Sequence, residues 1–167
     1  YNSAFGHVTL RDNTSGYGNS AFGYQALRNN ITGYNNTAVG RSALQSNTSG
    51  TTNSAFGYQS LTANTTGVNN NAFGNQSLAS NTVGYNNIAI GNASMFNNVN
   101  GINNTAVGHN ALLASLGNRN NAFGFQALVS NTTDNNNAFG YRALASNTTG
   151  TGNSTFGHLS LSNNTIA

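Results

Sequence analysis

Ten glycines stand at an almost unvarying interval along the chain. Gly6, Gly23, Gly40, Gly57, Gly74, Gly91, Gly108, Gly124, Gly140 and Gly157 are separated by seventeen residues, except for two steps of sixteen. Each closes an Ala-Φ-Gly triplet whose middle residue is always Phe, Val or Ile; Thr155 is the one replacement for Ala. Leu follows four residues after the glycine, with Met95 its one substitute. A second glycine stands ten residues after it in most repeats (Gly16, Gly33, Gly50, Gly67, Gly84, Gly101 and Gly150) and is replaced once by Asp134. A period this regular marks a repeat array, in which each unit buries its apolar face only by stacking on its neighbours.

The repeat reads as β structure. Asn, Thr, Ser and Gly dominate it, residues that favour turns or extended backbone over helix interiors. "NSAFGYQAL" (19–27) alternates as a single strand with Ala, Gly, Gln and Leu on one side. "NTT" reads as a second short strand, with Asn and Gly at the corners. Two strands and two turns per repeat predict one coil of a parallel β-solenoid, and residues 1–167 form a single array of ten such coils. Successive coils would stack about 4.8 Å apart. Identical residues then lie above one another, and asparagines in such columns can form hydrogen-bonded ladders. The best ladder candidate stands seven residues after the glycine: Asn13, Asn30, Asn47, Asn64, Asn81, Asn98, Asn131, Asn147 and Asn164. Both sixteen-residue repeats lose their residue in turn segments, around "LLASLGNRN" and "TTDNNN", which leaves the Ala-Φ-Gly strand intact.

In this register Ala21, Leu27, Ala38, Leu44, Ala55, Leu61, Ala72 and Leu78 point into the coils as the core. The Φ column has the opposite parity and turns outward as Phe5, Phe22, Val39, Phe56, Phe73, Ile90, Val107, Phe123, Phe139 and Phe156. An exposed apolar stripe of this length marks an interface, so self-association along the rod is expected. The competing arrangement is a bulge at the glycine that turns the column inward. Neither end carries a polar capping repeat, so the chain is expected to be a segment of a longer array or to assemble end to end.

Composition narrows the functional classes. Charged residues make up 4% of the chain, far below the roughly 25% of ordinary globular proteins, whereas 35 residues are Asn. The net charge of +3 comes from very few groups and lacks the Lys/Arg clusters that nucleic-acid binding needs. No cysteine is present to form a disulfide or a thiolate metal site. No apolar run approaches the length of a membrane span. No nucleic-acid partner and no membrane insertion are expected.

At the core strand a family resemblance emerges. "NTAVG", "NIAIG" and "NSAFG" resemble the S-V-A-I-G core of the head repeats of YadA-like trimeric autotransporter adhesins. The fuller unit N-T-A-F-G-Y-Q-A-L-x-S-N-T-T-G-x-N is similar to repeats of phage and large-virus tail-fibre or adhesin-like proteins. The resemblance spans the whole chain, although this coil is longer and carries Phe where the adhesin heads prefer Ile or Val. It implies a left-handed parallel β-roll with three chains packed around an axis, hence a homotrimer, and an extracellular, cell-surface or virion-surface location.

Catalytic chemistry finds no support. Asp12 and Asp134 are the two acidic residues, about seven coils apart, so no carboxylate pair can form within one chain. The serines lack a base and an orienting group. His7, His109 and His158 share the column one residue after the core glycine but lie in distant coils. Only copies meeting on a trimer axis could ligate a metal, and Arg41 in the same column opposes it. No enzyme activity, cofactor or metal is therefore expected.

The columns that vary suggest partners. Tyr24, Tyr58 and Tyr141 beside the glycine, and Tyr17, Tyr34 and Tyr85 near the corner, stand among Asn, Gln and Ser, the materials of a carbohydrate-binding surface; a side wall of tyrosines is the plainer alternative. A column of Thr14, Thr48, Thr65, Thr82, Thr132, Thr148 and Thr165 leaves ice binding open, although Ile31, Val99 and Leu116 interrupt it. About a dozen N-x-S/T sequons occur, as at Asn13, Asn47 and Asn64, most of them expected from composition. The reading that follows is a non-enzymatic fibre segment, a stiff oligomeric rod offering weak repeated contacts to a receptor or surface glycan. A self-assembling filament is its alternative, and an ice-binding solenoid comes next.

Overall fold

The computed structural model describes residues 1–166, and among them each repeat contributes one three-residue strand. In chain order these are β1 (Ser3–Phe5), β2 (Ser20–Phe22), β3 (Thr37–Val39), β4 (Ser54–Phe56), β5 (Asn71–Phe73), β6 (Ile88–Ile90), β7 (Thr105–Val107), β8 (Asn121–Phe123), β9 (Asn137–Phe139) and β10 (Ser154–Phe156). They form one ten-stranded parallel sheet in sequential order. The register is strict: Ala21 pairs Ala38, Phe22 pairs Val39, and Phe56 pairs Phe73. The chain is an all-β solenoid.

The strand is much shorter than the alternation predicted. Extended backbone ends at the glycine, and the following residues form overlapping turns. Ala26 N–H donates to Gly23 O at 3.4 Å, Arg28 N–H to Gln25 O at 3.3 Å, and Asn30 N–H to Leu27 O at 3.2 Å. The third residues of the first two turns, Gln25 and Leu27, have φ of 60° and 49°, the placement that type II turns require. The same pair recurs in every coil, as at Gln59 and Leu61 or Arg142 and Leu144.

This geometry corrects the strand reading in two places. Ala26, Ala43, Ser60 and Ser77, assigned outward by parity, are buried together with the Leu that follows each of them; adjacent residues cannot share one face of a strand, but around a turn they can. The "NTT" segment forms no second strand among the described residues. A left-handed backbone costs an L-residue about 1–2 kcal/mol, and full burial of a Leu side chain returns about 1.5–3 kcal/mol. Strain at the Leu column is thus offset by the side chain that causes it to be buried.

Each coil has a narrow interior. Ala21, Leu27, Ala38, Leu44, Ala55, Leu61, Ala72 and Leu78 are fully buried, as is Met95 in the Leu column. Beside these and the small Ala or Ser that precedes each Leu, the interior holds asparagine in two columns. In the column seven residues after the glycine, Asn47 Nδ2 donates to Asn30 Oδ1 at 2.7 Å and Asn64 Nδ2 to Asn47 Oδ1 at 2.8 Å. The second column lies four residues before the glycine. Here the side-chain oxygen accepts the backbone N–H of the next coil's asparagine: Asn36 N–H donates to Asn19 Oδ1 at 2.9 Å, and Asn70 N–H to Asn53 Oδ1 at 2.9 Å. This second column runs without a gap from Asn2 to Asn153.

Both columns converge on the corner glycine. Gly33 O accepts Asn30 Nδ2 of its own coil and Asn19 Nδ2 of the preceding one, each at 2.9 Å. A Cβ on Gly33 would collide with Asn30 Oδ1 and with Gly50 O, so close approach demands glycine there. Gly23 is required for another reason as well. Its φ is +133°, and a Cβ would lie 2.7 Å from Gly40 O, an arrangement open only to glycine.

The shortened coils depart from the sequence alignment at one corner. Asn120 Nδ2 donates to Thr133 O at 2.8 Å, the bond that Asn104 makes to Gly117 O at 2.9 Å. Thr133, and not Asp134, therefore occupies the corner of that coil, because the missing residue precedes it.

Candidate interaction surface

The described residues enclose no pocket and contain no group of three or more His, Asp or Glu side chains able to hold a metal. Among the described residues no helix is long and apolar enough to cross a membrane. The surface columns carry what this molecule can offer a partner.

The Φ column faces outward along its whole length, and no bulge turns it in. Phe5, Phe22, Phe73, Ile90 and Phe156 are exposed, while Val39, Phe56, Val107, Phe123 and Phe139 are half-buried. Part of that shielding is mutual. Phe56 and Phe73 stack with centroids 4.7 Å apart, Phe123 and Phe139 at 4.7 Å, and Phe139 and Phe156 at 4.8 Å. The residues beneath are the small buried alanines, so the column stands as an apolar ribbon on the strand face.

Beside it runs the column that follows the core glycine. His109, Phe125, Tyr141 and His158 form a continuous stack, with successive centroids 5.3, 5.3 and 5.1 Å apart. Nearer the amino terminus His7 stacks on Tyr24 at 5.7 Å. The Arg41 guanidinium then sits between Tyr24 and Tyr58, 5.6 and 5.8 Å from their centroids. Arg41 is thus a stacked cation, and the three histidines lie in the stack rather than converging on a ligand.

This stacking decides what the tyrosines can do. Tyr17 and Tyr34 lie 5.0 Å apart with planes 3° from parallel, and Tyr141 is covered on both faces by Phe125 and His158. Sugars stack on ring faces, and the faces engaged in these stacks are occupied by neighbouring coils. What remains outward is ring edge and hydroxyl. Tyr85 and Tyr58 are also exposed, and Tyr58 has one face against Arg41.

The threonine column is likewise committed. Thr48 Oγ1 donates to Thr65 O at 3.0 Å, Thr65 Oγ1 to Thr82 O at 3.1 Å, and Thr132 Oγ1 to Thr148 O at 2.6 Å. The hydroxyl protons of Thr14, Thr48, Thr65, Thr82 and Thr132 thus join one coil to the next.

Charge is sparse and confined to the surface. Arg11 and Asp12 form a bidentate pair at 2.8 and 3.0 Å, and hydrogen bonding to Arg11 holds the Asp12 carboxyl below its ordinary range. Arg119 contacts Asp134 at 3.3 Å.

Sequence reasoning missed the asparagine column before the strand as a ladder, although its signal, an Asn four residues before every core glycine, is plain in the repeat. Comparison with models of known protein families, with curated proteins and with solved structures returned no match.

Proposed function

We propose that this chain is a non-enzymatic structural segment of an extracellular or surface fibre: a stiff rod whose Φ column packs against copies of itself, in a homotrimer. The supporting observation is the in-register row of ten large apolar residues on one face of the sheet. An unbroken apolar stripe is costly in water, and rows of this kind are normally covered. A long parallel row also suits association along the rod, since every coil adds the same contact. The resemblance to trimeric adhesin heads and tail-fibre repeats favours three copies.

Adhesion follows as multivalency. Weak contacts repeated once per coil sum through avidity, with no single deep site required. Glycan recognition on such a rod rests on ring edges, tyrosine hydroxyls and exposed amides, since the ring faces in the stacked columns are taken. Ice binding is the weaker reading, because five of the seven column threonines have their hydroxyl protons held by backbone carbonyls.

Light scattering on the purified protein, with electron microscopy, tests the proposal. A discrete trimer that dissociates in the F56D/F73D double variant is expected. A monodisperse monomeric wild type would overturn the oligomer, and long fibres would favour end-to-end stacking.

A further inference from the structure

The chain contains one Asn-Gly dipeptide, Asn100-Gly101, and no Asp-Gly. It falls at the corner of the sixth coil. Elsewhere the residue before the corner glycine is Ser15, Thr32, Ser49, Thr66, Val83, Leu116 or Thr149. Asparagine followed by glycine is the pair most prone to internal cyclisation, because glycine offers no side chain to hinder attack by its own backbone nitrogen.

In the first four corners that nitrogen is engaged, whereas at Gly84, in the corner next to the sixth, it has no acceptor among the described residues. Gly16 N–H donates to Ile31 O at 3.3 Å, Gly33 N–H to Thr48 O at 3.3 Å, and Gly50 N–H to Thr65 O at 3.2 Å. Each of these carbonyls collects three successive N–H groups from the coil before it. The sixth coil stacks on the shortened seventh, which lacks one residue between Leu112 and Gly117. Among the described residues, the N–H groups of Val99, Asn100 and Gly101 have no acceptor. The interior ladder fails at the same place: Asn81 Oδ1, Asn98 Oδ1 and Ser115 Oγ are buried without partners.

Asn100 itself is exposed. The other asparagines followed by small residues are better protected. Asn19 and Asn53 are buried with their amides bonded, and the next residues, Ser20 and Ser54, donate to Asn36 O and Asn70 O at 2.8 Å.

We propose that Asn100, in the one Asn-Gly dipeptide of the chain, is a spontaneous modification site: its side chain is exposed, and the N–H of the buried Gly101 that must attack it is not held by a hydrogen bond. The Gly101 backbone nitrogen, on losing its proton to solvent base, attacks Cγ of Asn100. The new N–Cγ bond forms as the Cγ–Nδ2 bond breaks, and ammonia departs with the proton it takes up from water. The resulting succinimide is opened by one water molecule at either carbonyl, giving aspartate or isoaspartate, with no oxidant or reductant involved. The isoaspartate route adds a methylene to the main chain and a carboxylate to the corner, at the seam where stacking is already interrupted.

The test compares native protection at two corners. S49N places the same dipeptide before Gly50, in a corner whose N–H is bonded, at an exposed position. Native and urea-unfolded samples of wild type and S49N are held in mildly alkaline buffer, digested, and assayed by mass spectrometry for isoaspartate. The slowing on folding is expected to be roughly fivefold or more greater at the S49N corner than at Asn100, the factor that corresponds to one backbone hydrogen bond of about 1 kcal/mol. Isoaspartate should accumulate at Asn100 in the native wild type ahead of exposed Asn75 and Asn97. Equal protection at the two corners, or a native Asn100 that reacts no faster than Asn75, would overturn the proposal.

Discussion

Asn53 donates its backbone N–H to the side-chain oxygen of Asn36, one coil earlier, at 3.0 Å, and the Asn53 side chain reaches forward to Gly67 O at 2.8 Å. One residue thus ties three coils together at a point with no access to water. Because both partners are buried, its loss leaves unsatisfied groups on either side. N53A is expected to lower unfolding free energy by about 1–3 kcal/mol, read from urea denaturation followed by circular dichroism. S115A should behave in the opposite sense: the Ser115 hydroxyl is buried without a partner, so its removal should be neutral or stabilising.

Arg142 is exposed and has a φ of 49°. R142G removes a left-handed strain of about 1–2 kcal/mol, whereas the added freedom of glycine in the unfolded chain costs about 0.4–1 kcal/mol. The first exceeds the second, so R142G is expected to raise the thermal midpoint, and R142V, which places a β-branched residue at the same φ, to lower it. An R142G variant no more stable than R142V would show that backbone strain at this column is unimportant.

Tyr141 lies between Phe125 and His158, at 5.3 and 5.1 Å. If its role is to complete the stack, Y141F should leave stability unchanged and Y141A should cost about 0.5–1.5 kcal/mol per stacked pair lost. If its hydroxyl meets a glycan, Y141F alone should weaken retention on an immobilised glycan that the wild type binds. The paired variants separate wall from contact.

Stability should depend little on pH. The carboxyl of Asp12 is held below its ordinary range by its hydrogen bond to Arg11. The folded state therefore binds a proton less readily than the unfolded chain, and this contribution is present above the unfolded value of about 3.9 and fades as pH falls through the lower folded value. The pair is solvent-exposed, where such bridges contribute little. Thermal midpoints measured from neutral down to mildly acidic pH should be nearly constant, with a small decline only in the acid range. A large loss in the acid range would show that the Arg11–Asp12 pair contributes more than an exposed bridge should.

The seventeen-residue period by itself determined the solenoid, because stacking identical units is the way so small a repeat can bury anything. It also determined which columns of the triplet face where, with the Ala column inward and the Φ column outward. That outcome follows from side-chain size and parity around the Ala-Φ-Gly triplet, a local property. Past the glycine, parity stopped being informative. A run of apolar residues such as Ala26-Leu27 can alternate across a strand or bend around a turn, and only the coils above and below, which fix the backbone in the left-handed region at Leu27, select the turn. The same neighbours placed Thr133 at the corner that alignment gave to Asp134. They also turned the tyrosine rings face to face, since the spacing of stacked coils brings equivalent rings into contact. Those choices depend on what lies one coil away in space and seventeen residues away in sequence, so they belong to the tertiary structure.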